Sequence, residues 1–404
     1  MSGVAPVGAE WAFRRAAPAE AAKPSTSLPC LIDHFADLVD PRVDRTKRHA
    51  LLDIVAIAVC GVICGADSWV EIEEFGHAKV TWLRSFLALP GGIPSHDTFG
   101  RVFAALDPTQ FERCFLGWVR ALAEETADAP AGQVIAVDGK TLRRSHDRLA
   151  GRGPLHLVSA WATANGVALG QLRVADHANE IVALPQLLET LVLDGAIVTI
   201  DAIGCQTAVA RTIVDGRADY VLALKGNQPA TLRAVVDLFA DARATGFDHL
   251  SHDAAKTVDK GHGRLETRRC WAVSDAAFLA YLDPAGRWPG LRSVVLVEAE
   301  RRVATTTSRE ARYYLSSLPA DAARLNAVIR AHWAIENQLH WVLDIAFRED
   351  ESRVRAGHAA QNLAVLRRLA LNLLRRERTS TVGIKAKRLK AGWDDAYLRK
   401  ILAG

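Results

Sequence analysis

Between Gln133 and Leu224, short β-branched runs alternate with helical ones in the order β-β-β-α-β-α-β, and two of the strands end on an aspartate. The strand candidates are Gln133 to Asp138, Leu155 to Ala162, Ala168 to Val174, Ala196 to Ile200 and Asp219 to Leu224. Gly151 to Pro154 and Asn165-Gly166 supply turns, the Asn-Gly pair making a hairpin of the second and third strands. Asn179-Glu180 opens a helix to Leu193, and Gly204 to Asp215 forms another. The order predicts an α/β core, a mixed sheet with flanking helices, and puts Asp138 and Asp201 at the ends of its first and fourth strands.

On either side the texture differs. Residues 28 to about 125 carry helical periodicity, first in the apolar run Ile54 to Ala66 and then in Ser68 to Leu89. Gly91, Gly92 and Pro94 break the pattern, Ser95 or Asp97 can cap a helix through Phe99 to Leu106, and Ala123 to Gly132 reads as a linker. The apolar run has 13 residues, short of the roughly 20 that span a bilayer, so it predicts a buried helix and no membrane partner. Residues 1–26, rich in Ala, Pro and Gly without an apolar signal core, read as a disordered leader of a cytoplasmic, nucleoid-associated protein. Cys60 and Cys64 lie one helical turn apart, but no second metal-spaced pair accompanies them, so all six cysteines read as reduced thiols.

Beyond Lys225 come about ninety residues with further strand patterns, Glu266 to Val273 and Ser293 to Glu298, which read as an inserted β-containing subdomain over about 226–311. Arg312 to Leu318 is another strand candidate, and Asp321 to Phe347 reads as one long helix. Net charge is only +4, yet the segment after Leu366 holds eleven basic residues against three acidic ones. Its last part, 377–404, reads as a basic tail suited to phosphate contacts.

Asp138, Asp201 and Glu336 are the candidate catalytic and metal-binding residues. A phosphodiester is a poor electrophile wrapped in negative charge, so its cleavage calls for cations that activate water and stabilise the leaving oxygen; three converging carboxylates can hold two of them. The bland alternative for each aspartate is a strand-end turn residue. His332, Glu336, His340 and Asp344 recur every four residues and so share a helical face. His332 and His340 stand roughly 12 Å apart along such a helix, too far to ligate one zinc. Asp344 and Glu349 are the runners-up for the third acid. Gly139-Lys140-Thr141 lacks the first glycine of a nucleotide-binding loop, since Val134 stands there. Lys140, Arg143, Arg144, Lys225, His262, Arg264, Arg330, His332 and His340 are the candidate DNA contacts, each with an ordinary surface residue as its alternative.

The words KRHALLDIVAIAVCGVICGADSW, GIPSHDTFGRVF, AVDGKTLRRS, NEIVALPQLL, TIDAIGCQ, YVLALKGNQ, KGHGRLETRR, YYLSSL and RAHWAIENQLHWVLDIAFRED follow one another from about residue 28 to 376. In this the chain resembles bacterial insertion-sequence transposases of the DDE type, in the branch of the H-repeat-associated proteins. The resemblance implies a ribonuclease-H-like catalytic domain over 130–376, an N-terminal helical DDE-associated domain over 27–125, and Asp138, Asp201 and Glu336 as the triad. It also implies Mg²⁺ with Mn²⁺ as a substitute, double-stranded DNA with terminal inverted repeats and target DNA as partners, and a homo-oligomer on paired ends. Cleavage at the element's ends and strand transfer would be the reaction. A domesticated DNA-binding descendant and a stand-alone nuclease are the alternatives. In broader relatives the last motif carries Tyr, Arg and Lys where Ile329, His332 and Leu343 stand here, and His177 replaces a common Lys, so those roles do not transfer.

Overall fold

The structure, a computed structural model, describes residues 28–125, 132–146, 151, 153–174, 180–261 and 263–403. The expected leader and His177, Asn179 and His262 lie outside the described residues.

The N-terminal part is helical: α1 (Leu28–Asp33), α2 (Leu51–Ile63), α3 (Trp69–Ala78), α4 (Val80–Leu83), α5 (His96–Ala105) and α6 (Pro108–Glu125). Twelve of the thirteen residues of α2 are buried, which is why its sequence is apolar on every face rather than on one stripe. Ser68 and Glu71 close a reciprocal capping box at the start of α3. Of the two expected caps for α5, Ser95 fills the role, its Oγ accepting from the Thr98 N–H.

The expected strand–helix order follows: β1 (Val134–Thr141), β2 (His156–Ala162), β3 (Val167–Arg173), α7 (Glu180–Glu189), β4 (Ile197–Ile200), α8 (Thr207–Asp215) and β5 (Asp219–Leu224). Gly166, at φ +66°, turns the β2–β3 hairpin. After α9 (Pro229–Ala244) come β6 (His252–Gly261), β7 (Arg264–Val273), α10 (Ala276–Leu282), β8 (Ser293–Val303) and β9 (Thr306–Ser316). Among the described residues all nine strands form one sheet in the order β3-β2-β1-β4-β5-β9-β8-β7-β6. β1, β4 and β5 run parallel, while β2 and β3 on one side and β9 to β6 on the other are antiparallel. The segment expected as an inserted subdomain thus continues the central sheet through the β5–β9 pairing.

The long helix expected over Asp321–Phe347 is broken. It runs as α11 (Ala322–His332), a π-helical turn (Ile335–His340) and α12 (Trp341–Phe347). After it come α13 (Ala359–Arg376), α14 (Ile384–Trp393) and α15 (Asp395–Ala403). Contrary to the expectation from charge, residues 377–403 are not a detached tail but fold into α14 and α15. Tyr397, Leu398, Ile401 and Leu402 of α15 are buried in the same apolar core as α2, α5 and α6. Arg367, Arg368, Lys387 and Arg388 are buried as well. Arg388 donates to the Val62 and Ala66 carbonyls and to Asp67, and Lys387 donates to the Leu374 carbonyl. Carbonyls at helix ends lack intrahelical partners, and these cations satisfy them. Across the boundary expected at 376, α14 and α15 pack directly against α13, which itself packs against α2, α5, α6 and β3.

The sheet therefore has unlike faces. Apolar side chains of β1, β4 and β5 meet α7, α8 and α9 on one face. On the other, α11 packs over β1, β4, β6 and β7, while the π-turn and α13 lie against β1 to β3.

Candidate functional site

β1 and β4 run parallel, and their pairing stops at Val137 opposite Ile200. Asp138 and Asp201 are the next residues of each strand, so register alone sets them side by side on strands about 4.8 Å apart. Alternation sends both toward the face covered by α11 and the π-turn: Ala136 joins the helical core, and Thr199 bonds to His332 of α11 at 3.1 Å. Beside them β5 ends at Leu224, followed by exposed Lys225. The carboxyl ends of adjacent parallel strands are where such sheets bind ligands.

Charge is crowded here. Burial, with the negative charge of Asp201 adding to it, pushes the Asp138 carboxyl up to about 6, against the pull of His340. Burial and then the charge of Glu180 raise Asp201 as well. Glu180, the first residue of α7, was not among the expected site residues; the sequence signal was its place in the NEIVALPQLL word. Its carboxylate lies against Gly139, where any Cβ would stand 2.3 Å from a Glu180 oxygen, and it bonds to His156, whose other nitrogen meets Thr141. Gly139 is thus the residue that lets a third acid approach the strand.

Glu336 reaches the site from the π-turn. His340 bonds to its Oε2 at 3.1 Å and lies 3.6 Å from Asp138 Oδ2, and the His340 hydrogen bond holds the Glu336 carboxyl below its ordinary range. Asp138, Glu336 and His340 each offer one donor atom within 4.8 Å of the others, a set that fits a divalent cation. A π-turn inserts a residue's worth of width into a helix and re-aims its side chains, and such turns recur at functional sites. The four residues expected on one helical face meet different parts of the sheet. His332 goes to Thr199 of β4 and Asp344 to Lys140, whereas Glu336 and His340 go to Asp138.

The two alternative acids are committed elsewhere. Asp344 pairs with Lys140. Glu349 is fully buried, 3.1 Å from Arg368 and 3.6 Å from Lys140. Burial alone would raise the Glu349 carboxyl, but Arg368, Lys140 and Arg367 outweigh it and hold it low.

The expected DNA contacts divide. Lys140 is buried and pinned, its ammonium also donating to the His340 carbonyl, so it supports the π-turn from beneath and does not face solvent. Burial takes the His332 imidazole down to about 4, so it is neutral at physiological pH. Arg330 pairs with Asp259 of β6. Arg143, largely exposed, lies 3.2 Å from Asp350, and Arg144 is exposed. Arg264 and Lys225 are exposed too. Lys225 and Asp201 line a small cavity of about 50 Å³ with His332, Arg312 and Trp333. From there a groove of about 520 Å³ follows β7 to β9 past Arg264, Arg268, Arg301 and Arg312. The Arg312 guanidinium lies 4.4 Å over the Trp333 ring, so one stacked pair borders both cavity and groove.

Among the described residues no helix is long and apolar enough to cross a membrane. Comparison with known proteins matches residues 129–373 to the transposase DDE domain and residues 32–119 to the DDE_Tnp_1-associated family. YncI of Escherichia coli O157:H7, provisionally named a transposase, is 40% identical over 380 residues, covering 93% of this chain and 95% of that protein. YhhI of Escherichia coli K12, provisionally named an H repeat-associated transposase, is 35% identical over 378 residues, 93% of this chain and 98% of YhhI. Among solved structures, a piggyBac transposase synaptic complex with hairpin DNA aligns with a TM-score of 0.40 at 10% identity, covering 93% of this chain and 78% of that one.

Proposed function

Because the chain belongs to the DDE transposases, we propose that it cuts DNA at the ends of a mobile element and joins the freed ends to target DNA, using Asp138, Asp201 and Glu336 on a ribonuclease-H-like core. The observation that carries this reading is the convergence of Asp138, from a strand, with Glu336, from a π-turn far along the chain, beside the register-matched Asp201. These three carboxylates would hold Mg²⁺ or Mn²⁺. When bound, such ions make water a nucleophile and offset the charge that develops on the leaving oxygen.

The protein's own groups supply placement. Asp138 sits between Asp201 and the Glu336–His340 pair, the position from which one carboxylate can serve neighbouring ions. Its raised affinity for protons reflects burial and acids crowded together. Lys140, paired with Asp344 and Glu349, donates to the His340 carbonyl, so buried charge pairs anchor the last residue of the π-turn that carries Glu336. Lys225, Arg143, Arg144 and Arg264 are exposed around and beyond the acids, where phosphate contacts would orient the duplex without reading its sequence. A second copy of the chain would hold the other end of the element.

The test is incubation of the purified full chain with DNA carrying the inverted repeats that flank its gene. Mg²⁺-dependent nicks at the repeat ends, together with joined products on added target DNA, are the expected result. Sequence-specific binding with no cleavage in Mg²⁺ or Mn²⁺ would instead identify a DNA-binding descendant, and cleavage without joining a nuclease.

A further inference from the structure

His340 was expected to touch DNA, but its surroundings exclude that. The residue is 3% exposed, and its ring reaches two acids. Nδ1 lies 3.1 Å from Glu336 Oε2 and 3.6 Å from Asp138 Oδ2. Nε2 is buried and has no hydrogen-bond partner among the described residues. The ring's contacts with neighbouring side chains therefore run through Nδ1, which faces the two acids together.

With metal–ligand bonds of about 2.1 Å, neighbouring ligands stand about 3.0 Å apart in an octahedron and about 3.4 Å in a tetrahedron. The nitrogen, 3.1 and 3.6 Å from the two oxygens, is spaced as a ligand of the same small ion, and the three residues each offer a donor atom within 4.8 Å of the others. The backbone under the ring is also held: the Lys140 ammonium donates to the His340 carbonyl at 3.3 Å, and the Nδ1–Glu336 contact keeps both side chains on one side of the turn.

Building on the carboxylate site proposed above, we propose that His340 is an inner ligand of the ion shared by Asp138 and Glu336, binding through the Nδ1 lone pair and making that position a mixed nitrogen–oxygen site. An imidazole among carboxylates shifts preference from Mg²⁺ toward first-row transition ions, because nitrogen is a softer donor than the oxygen it replaces. The Asp138–Glu336 position is therefore tuned for Mn²⁺-like ions. Asp201 lies outside the three-atom set, so this bias does not extend to an ion held on its side of Asp138.

Pulsed EPR on Mn²⁺ bound to the full chain without DNA reads the ligand directly, since a coordinated imidazole couples its ¹⁴N nucleus to the metal's electrons. The expected result is a nitrogen coupling in the wild type that is absent in His340→Gln. Mn²⁺ affinity should also fall in that variant by at least roughly 10- to 100-fold, the range lost when only a ligand's outer-shell partner is removed, with a smaller loss for Mg²⁺. Bound Mn²⁺ that is lost in Asp138→Asn yet shows no nitrogen coupling in the wild type would overturn the assignment and leave the carboxylate site standing. So would a coupling that persists in His340→Gln. Mn²⁺ binding indifferent to both Asp138→Asn and Glu336→Gln would remove the carboxylate site itself and this ligand with it. The wild-type spectrum can overturn the assignment alone, so the test does not depend on the variant folding.

Discussion

Asp138 titrates at about 6 in the folded protein, against about 3.9 for an unperturbed aspartate, so the folded state binds that proton more tightly than the unfolded one. The sign follows from linkage: wild-type stability falls as pH rises from about 4 through about 6. The site is in this respect built against the stability of the chain that carries it. Asp138→Asn has no such charge to bury. In EDTA its stability in denaturant should exceed that of the wild type by an amount that grows over this range and levels off near pH 7, at most about 3 kcal/mol. A gap that does not change with pH would show that Asp138 is not strained by its neighbours. Glu349 and Arg368 are the opposite case, a fully buried pair of opposite charges 3.1 Å apart. Arg368→Met leaves the Glu349 carboxylate without its main partner and should cost about 3–5 kcal/mol in urea unfolding. A loss under about 1 kcal/mol, the range of a surface pair, would contradict the pairing.

Among the strands and helices, what was legible in the sequence is what local pattern determines. Asp138 and Asp201 were placed by β-branched runs that end on them, and the Asn-Gly turn fixed the β2–β3 hairpin; both effects lie within a few residues. The π-turn was not legible, because Ile335 to His340 keeps helical spacing and the extra width shows only in how side chains meet the sheet. Glu180 was missed because its approach to β1 depends on the bare backbone of Gly139. Charge misled most. Arg367, Arg368, Lys387 and Arg388 count as positive in any window, yet each is buried, and no window reveals the carbonyls and acids that receive them. α13 also carries a bond that pattern cannot show. The Asn372 side chain accepts from the Ala168 N–H at 2.8 Å and donates to the Ala168 carbonyl at 2.9 Å, serving β3 as a neighbouring strand would. Asn372→Ala strands both buried groups and should cost roughly 1–3 kcal/mol by chemical denaturation. Near-neutrality would mean that β3 finds other partners.

Taken as one body, the sheet and the helical part share a single construction. α13 to α15 complete the core begun by α2, α5 and α6, while the turn that carries Glu336 lies between that core and the sheet. Deleting residues 377–404 should therefore abolish the cooperative thermal transition and leave an aggregating chain; a soluble, cooperatively folded product would restore the view of this segment as a detachable basic tail. The same architecture explains how a glutamate so far along the chain meets Asp138: β9 returns from the long β6–β9 extension to pair with β5, and α11 then packs over β1 and β4 and leads into the π-turn. Everything proposed for the site rests on Glu336 completing a metal-holding triad with Asp138 and Asp201. Glu336→Gln keeps size and most hydrogen bonding but removes the charge that a hard cation requires, and Asp344→Asn is the neighbouring control. The decisive measurement is Mg²⁺-dependent cleavage of terminal-repeat DNA by both variants, with binding to the same DNA followed in parallel. Glu336→Gln should lose cleavage by roughly a hundredfold or more while keeping its DNA binding, and Asp344→Asn should still cut. Near-normal cutting by Glu336→Gln, with cleavage lost in Asp344→Asn, would contradict the triad.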